Sequence, residues 1–240
     1  MPDTTDTTQT DQGTGQDALV LDMDGTLLDS TYHHALAWYR AMAKHDLCPP
    51  FWEVHRAIGL GGDRLPGHVL GDDVEERLGD ELRDAWTQEY DRIWDEVRPL
   101  DGAREACQAA HDEGMLVLVA SSSDEEMVTK ALEKVGIEDI ADAATSSDDA
   151  DSSKPAPDLI QAVIAKAQEQ GKTVRRAVMV GDTPYDVQAA AKAGLRCVCV
   201  RAGGFSEGEL RDAGAVHVVD GPGDLAGYDW EQALAEPSKA

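Results

Sequence analysis

The chain has 240 residues, enough for one domain with an insertion or for two modest domains around a sizeable core. Its 21 Lys and Arg stand against 47 Asp and Glu, a formal charge of −26. So acidic a surface argues against nucleic acid or an anionic membrane as the main partner, and any phosphate chemistry would need a metal and a few local cations.

Residues 1–16 are Thr, Asp, Gln and Gly without an apolar core, and read as a disordered tail rather than a secretory signal. The apolar run Ala18 to Leu21 predicts a short buried strand. It runs into Asp22-Met23-Asp24-Gly25-Thr26. Side chains at i and i+2 leave an extended chain on one side, so Asp22 and Asp24 should emerge together. Two acids this close resist joint ionisation unless a cation or proton lies between them. After Ser30 the spacing turns helical, with Ala35, Trp38, Tyr39 and Met42 at i, i+3, i+4 and i+7 and His34 on the same segment. Cys48-Pro49-Pro50 ends that helix, and Phe51 to Ile58 predicts another.

The loop Gly59 to Gly67 neither follows a strand nor contains Gly-Lys-Ser/Thr, so it is not a nucleotide-binding fingerprint. Its Arg64 is either a cation for a carboxylate or second phosphate of a ligand, or a solvated loop residue. Residues 74–97 form a long amphipathic pattern with Trp86, Tyr90, Ile93, Trp94 and Val97 on one face, which reads as helix-packing core. Residues 30–98 are thus expected to be an all-helical insertion, closed by Pro99.

From residue 101 helices and strands alternate, which predicts a parallel α/β sheet. Met115 to Ala120 is a predicted strand that delivers Ser121 at its C-terminal end. Ser123 and Glu126 fit a capping box for the helix 124–135. A weak strand is expected near Ile140 to Thr145 and a helix over 157–169. Just ahead of that helix, Ser153-Lys154-Pro155-Ala156-Pro157-Asp158 sets Lys154 in a rigid segment where its ammonium could balance several anionic oxygens.

The strand Ala177 to Val180 again ends in an acid, Asp182. Thr183, Pro184 and Asp186 fit N-cap, N1 and N3 of the next helix, so Asp186 is either a capping acid or a part of the site. Strands over Cys197 to Val200 and Val216 to Val219 follow. Cys48, Cys107, Cys197 and Cys199 lack paired C-x-x-C spacing and read as thiols in a reducing cytoplasm ahead of zinc ligands. No apolar run reaches transmembrane length, and a cytoplasmic location is expected.

Four of these stretches carry a family resemblance. Asp22-Met23-Asp24-Gly25-Thr26 after its strand, Ser121 after the second, Lys154-Pro155-Ala156-Pro157-Asp158, and Gly181-Asp182 followed by Asp186 come in the order of the four motifs of the haloacid-dehalogenase-like hydrolases. The resemblance implies an α/β, Rossmann-like parallel sheet core (17–29 and 99–240) with an inserted helical cap domain (30–98). It implies a phosphatase similar to phosphoglycolate phosphatases, acting on a small phosphorylated metabolite. In that scheme Asp22 is the nucleophile, Asp24 the general acid and base, and Ser121 and Lys154 hold phosphate oxygens. Mg²⁺ is bound by Asp22, the backbone carbonyl of Asp24 and Asp182. Thr26 is expected to hydrogen-bond within its loop, and Asp186 to support the metal or Lys154 if it does more than cap. The resemblance extends to sugar phosphomutases, which carry a His near His34. On this chain His34 is also readable as an ordinary polar position of the helix. A non-catalytic phospholigand-binding module on the same fold is a further alternative.

Overall fold

The computed structural model describes residues 15–150 and 152–234, so the expected tail lies outside the described residues except for its last two. Of those two, Gln16 already opens β1 (Gln16–Leu21), whose Ala18 to Leu21 are at most 1% exposed. The chain then makes β2 (Leu28–Asp29) and four helices: α1 (Thr31–Lys44), α2 (Phe51–Arg56), α3 (Leu65–Leu70) and α4 (Asp72–Ile93). It returns through β3 (Arg98–Pro99), and β2 and β3 pair antiparallel, so the two strands flanking the helical stretch lie side by side. The remainder alternates: α5 (Ala103–Asp112), β4 (Leu116–Ala120), α6 (Glu125–Val135), β5 (Ala143–Thr145), α7 (Asp158–Glu169), β6 (Val174–Gly181), α8 (Pro184–Lys192), β7 (Arg196–Val200), α9 (Glu207–Ala213), β8 (His217–Val219) and α10 (Glu231–Leu234).

Six strands form one parallel sheet in the order β5-β4-β1-β6-β7-β8, flanked by helices as a Rossmann-like α/β fold. Alternation along each strand builds the layers. Leu19, Leu21, Val117, Val119, Val178 and Val180 pack on one face with α5 and α6, while Ala18, Val20, Leu118 and Met179 pack on the other with α7 and α8. The helical stretch carries its own cluster around Trp38, Met42, Val54, Leu65 and Leu82. In an open parallel sheet ligands gather where the strand order reverses, outside the carboxyl ends. Here that point lies between β1 and β6.

One local expectation changes, and α3 and α9 are additions to the expected elements. α3 and α9 had no strong apolar signal, because each is a turn or two long and buries little: Leu65 and Pro66 in α3, Leu210 in α9. The N-cap of α6 is Asp124 rather than Ser123: Asp124 is extended and its carboxylate accepts the Met127 N–H at 2.8 Å. A carboxylate caps at the positive helix end at least as well as a hydroxyl, so the helix starts one residue later. Glu126, displaced from N3, pairs with Lys130 instead. Among the described residues no helix is long and apolar enough to cross a membrane.

Candidate active site

β1 and β6 are neighbours in register, Leu21 beside Val180, so the residues after each strand meet at the same end of the sheet. Asp22 is tied there by its own N–H, which donates to the Val180 carbonyl at 2.9 Å. Asp182 follows β6 directly. Carboxylate oxygens of Asp22, Asp182 and Asp186 all lie within 4.8 Å of one another, and all three residues are buried. Lys154, 2% exposed, inserts its ammonium between Asp22 and Asp186, at 2.7 Å from Asp186 Oδ1. Three stretches distant in sequence thus supply three acids and one base to one buried point.

The electrostatics follow from that crowding. Burial drives the Asp22 carboxyl up, Lys154 opposes it, and Asp186 and Asp24 reinforce it, leaving a pKa of about 7. Burial, then the Asp186 and Asp22 charges, push Asp182 well above the ordinary carboxylate range. Burial works against the Lys154 ammonium, but Asp186 and Asp22 outweigh it and keep it charged. One lysine faces three buried acids, so ionising all three needs further positive charge beside them.

The oxygens fit a hard divalent cation. Asp182 Oδ2 is buried without a hydrogen-bond partner, while its Oδ1 accepts from Thr26 Oγ1 at 3.2 Å. That bond carries the Thr26 hydroxyl across to the residue after β6, while the Thr26 N–H donates to the Met23 carbonyl at 3.4 Å within its own loop. Asp186 is otherwise occupied. Its Oδ2 accepts from the Thr183 N–H and hydroxyl, closing a capping box on α8, and its Oδ1 faces Lys154. Both roles held open for Asp186 in the sequence therefore coexist, one per oxygen. Gly25 and Gly203 leave space for Asp182: a Cβ on either would stand 2.3 or 1.7 Å from its Oδ2.

Asp24 is turned toward the helices. Its Oδ1 accepts from Ser30 Oγ and lies 2.9 Å from His34 Nε2. Burial raises the Asp24 carboxyl, but His34, Ser30 and Lys154 outweigh it and hold it below the ordinary value. His34 is only 7% exposed and its ring stacks on Tyr90 at 4.1 Å, so it is not a solvated helix position. Ser121 lies at the end of β4, 1% exposed, its hydroxyl accepting the Ser123 N–H at 3.2 Å.

These residues open into a cavity of about 480 Å³ between sheet and helices, lined by Asp22, Asp24, His34 and Lys154 at its floor. Ser122 and Ser123 line it, whereas Ser121 and Arg64 do not. Arg64 is the residue before α3, 43% exposed in its side chain, with Asp63 its nearest acid. Among the described residues the arginine that reaches the cavity is Arg83 of α4, along with Trp38 and Trp86. Sequence reasoning missed Arg83 because a single Arg on a charged helix has no motif. It assigned Trp86 to helix packing, although Trp86 both stacks on Trp38 and faces the cavity.

Residues 16–194 match the family model of the haloacid dehalogenase-like hydrolases, and the chain belongs to that family. It is 28% identical over 189 residues to a phosphoglycolate phosphatase of Thiobacillus denitrificans, covering 76% of this chain and 82% of that protein. It is 27% identical over 195 residues to the fructose-1-phosphate phosphatase YqaB of Escherichia coli, covering 76% and 95%. Among solved structures, a hydrolase from Pseudomonas syringae superposes with a TM-score of 0.80 at 28% identity, over 88% of this chain and 97% of that one. The chain is accordingly an enzyme of the phosphoric monoester hydrolase type.

Proposed function

We propose that the protein is a Mg²⁺-dependent phosphatase of small phosphorylated metabolites that works through an aspartyl-phosphate on Asp22. The observation that carries this is the buried Asp22–Lys154 pair at the strand-order reversal, beside the unpartnered Asp182 oxygen. Mg²⁺ prefers hard oxygen ligands, and Asp22, Asp182 and the Asp24 backbone carbonyl would hold it. When bound, it favours the ionised form of Asp22 and offsets the charge of the incoming phosphate. Lys154 orients the Asp22 carboxylate and holds a phosphate oxygen, with Ser121 and the N–H groups at the start of α6 beside it.

An Asp22 oxygen attacks phosphorus and the ester P–O bond breaks. The departing alcohol oxygen takes a proton from Asp24. The phosphate dianion beside Asp24 raises its proton affinity, and His34 Nε2 is the near group able to supply that proton. In the second half Asp24 takes a proton from water, the water oxygen attacks phosphorus, and inorganic phosphate leaves with Asp22 restored. In this reading 17–29 and 99–240 are the catalytic core and 30–98 the cap, supported by the paired strands β2 and β3 at the junction.

A screen of phosphorylated metabolites with Mg²⁺ tests the proposal by release of inorganic phosphate. The His34–Asp24 contact also suits a sugar phosphomutase, where a histidine would help activate a sugar hydroxyl. Hexose 1-phosphates and bisphosphorylated sugars therefore belong in the screen. Isomerised sugar phosphate would favour the mutase, and binding without turnover a non-catalytic module.

A further inference from the structure

Two buried polar atoms beside the acids lack a hydrogen-bond partner and stand close to each other at Gly25. One is Asp182 Oδ2, an acceptor. The other is the hydroxyl of Thr31, the first residue of α1, which is 1% exposed. A Cβ on Gly25 would stand 2.3 Å from Asp182 Oδ2 and 2.3 Å from Thr31 Oγ1, so both oxygens look onto the same point. Gly25, at φ +76°, leaves that point free of a side chain.

The neighbouring donors are already engaged. The Gly25 N–H donates to the Leu28 carbonyl at 2.8 Å, and Thr26 Oγ1 donates to Asp182 Oδ1 at 3.2 Å. Ser30, the residue before Thr31, gives its hydroxyl to Asp24 Oδ1 rather than capping α1. Lys154 lies on Asp22 and Asp186. A hydroxyl has one proton to donate, and a carboxylate oxygen accepts more than one hydrogen bond. Leaving either group bare in a closed site is costly, and pairing the two relieves both. A donor on Oδ2 takes one lone pair and leaves another for a cation. With Thr26 on Oδ1 and Thr31 on Oδ2 the carboxylate is held at both oxygens. Hydrogen-bond partners that fix a metal ligand in this way raise its affinity for the ion.

We infer that Thr31 is a positioning residue for the cation site, its hydroxyl donating to Asp182 Oδ2 and orienting that carboxylate toward the ion. This rests on the metal site proposed above. It gives the helical stretch a direct hold on the ion, since Thr31 opens α1 while Asp182 follows β6 of the sheet. By linkage, any displacement of α1 from the strand ends changes cation affinity, and the bound ion in turn holds α1 in place.

Calorimetric titration of the phosphate-free full chain with Mg²⁺ tests this. Thr31→Val keeps the branched shape and removes the hydroxyl, whereas Thr31→Ser keeps the hydroxyl and removes the methyl. Thr31→Ala, compared with Thr31→Ser, isolates the hydroxyl should valine prevent folding. The expected result is a Kd for Mg²⁺ about tenfold or more above the parent in Thr31→Val, and within about twofold of it in Thr31→Ser. The rise in Tm from EDTA to a fixed Mg²⁺ concentration should shrink in Thr31→Val accordingly, with Tm in EDTA close to the parent. Parental affinity in a folded hydroxyl-free variant overturns the inference and leaves the metal site standing. An equal loss in Thr31→Ser also overturns it, because the effect then lies in packing. A parent that binds no Mg²⁺ overturns the proposed metal site and the inference with it.

Discussion

Asp22 and Asp182 differ in what surrounds them, and their substitutions should differ accordingly. Asp22→Asn keeps the shape of the side chain but removes the proposed nucleophile, so kcat should fall by about a thousandfold or more. The near-ultraviolet circular dichroism should be unchanged, and near-normal turnover by the folded variant would move the nucleophile elsewhere. Asp182 offers an oxygen with no other partner, whereas both Asp186 oxygens are engaged. Asp182→Ala should therefore weaken Mg²⁺ binding, read by calorimetric titration, more than Asp186→Ala does. Asp186→Ala should instead cost about 3 kcal/mol in urea unfolding, because it opens a capping box and leaves Lys154 with one fewer buried counter-charge. Equal losses of metal affinity would make Asp186 a ligand.

Several elements meet at the loop after β7. Gly203 lets Asp182 lie against the backbone, and its carbonyl lies 3.1 Å from His55 Nε2 on α2. Arg56 of the same helix pairs with Glu209 on α9, and Tyr185 on α8 donates to the Arg56 carbonyl at 3.1 Å. On the opposite side the Gly61 N–H donates to Ser153 Oγ at 3.2 Å, next to Lys154. The helical stretch is thus fastened at two points beside the acids. Gly203→Ala places a methyl where Asp182 Oδ2 lies, and a displacement near 1 Å at a reacting centre costs about a hundredfold. Its kcat/KM should fall by about that factor while the urea midpoint stays close to the parent. Full activity would mean that Asp182 tolerates being moved.

For the molecule as a whole, charge is the dominant feature. A net charge of −26 repels a phosphate dianion at long range, and the Debye length shrinks from about 30 Å to about 8 Å between 0.01 and 0.15 M salt. KM at saturating Mg²⁺ should fall over that range, and a rise would show that local cations steer the substrate instead. Far from the acids, Asp17 joins β1 to β6 through Arg176 and Arg175. The Arg176 hydrogen bond outweighs burial, and with Arg175 holds the Asp17 pKa at about 2. A folded pKa below the unfolded value of 3.8 stabilises the fold above that value and loses the effect as pH falls through about 2. With both arginines partly exposed, solvent screening reduces the contribution to about 1 kcal/mol. Asp17→Asn should lower Tm by about 2–4 °C at pH 7. The difference from the parent should shrink between pH 4 and pH 2, and a constant difference would place its origin in packing.

Much of this was legible in the chain itself, for a local reason. An apolar run ending in an acid, as at Leu21-Asp22 and Val180-Gly181-Asp182, states both a buried strand and what stands at its end, since strand periodicity and burial act over neighbouring residues. Capping follows from residues three apart, so Thr183 with Asp186 was readable, although Asp124 displaced Ser123 at α6 because two adjacent residues could each cap. What tertiary structure decided are relations between distant segments. These include Thr26 reaching Asp182, His34 set against Asp24, Arg83 rather than Arg64 at the cavity, and Gly203 beneath an acid 21 positions away. The Trp86 face was read as packing because periodicity reports which residues leave water, not whether they meet another helix or a cavity. That choice is made only when α4 is laid across the carboxyl end of the sheet.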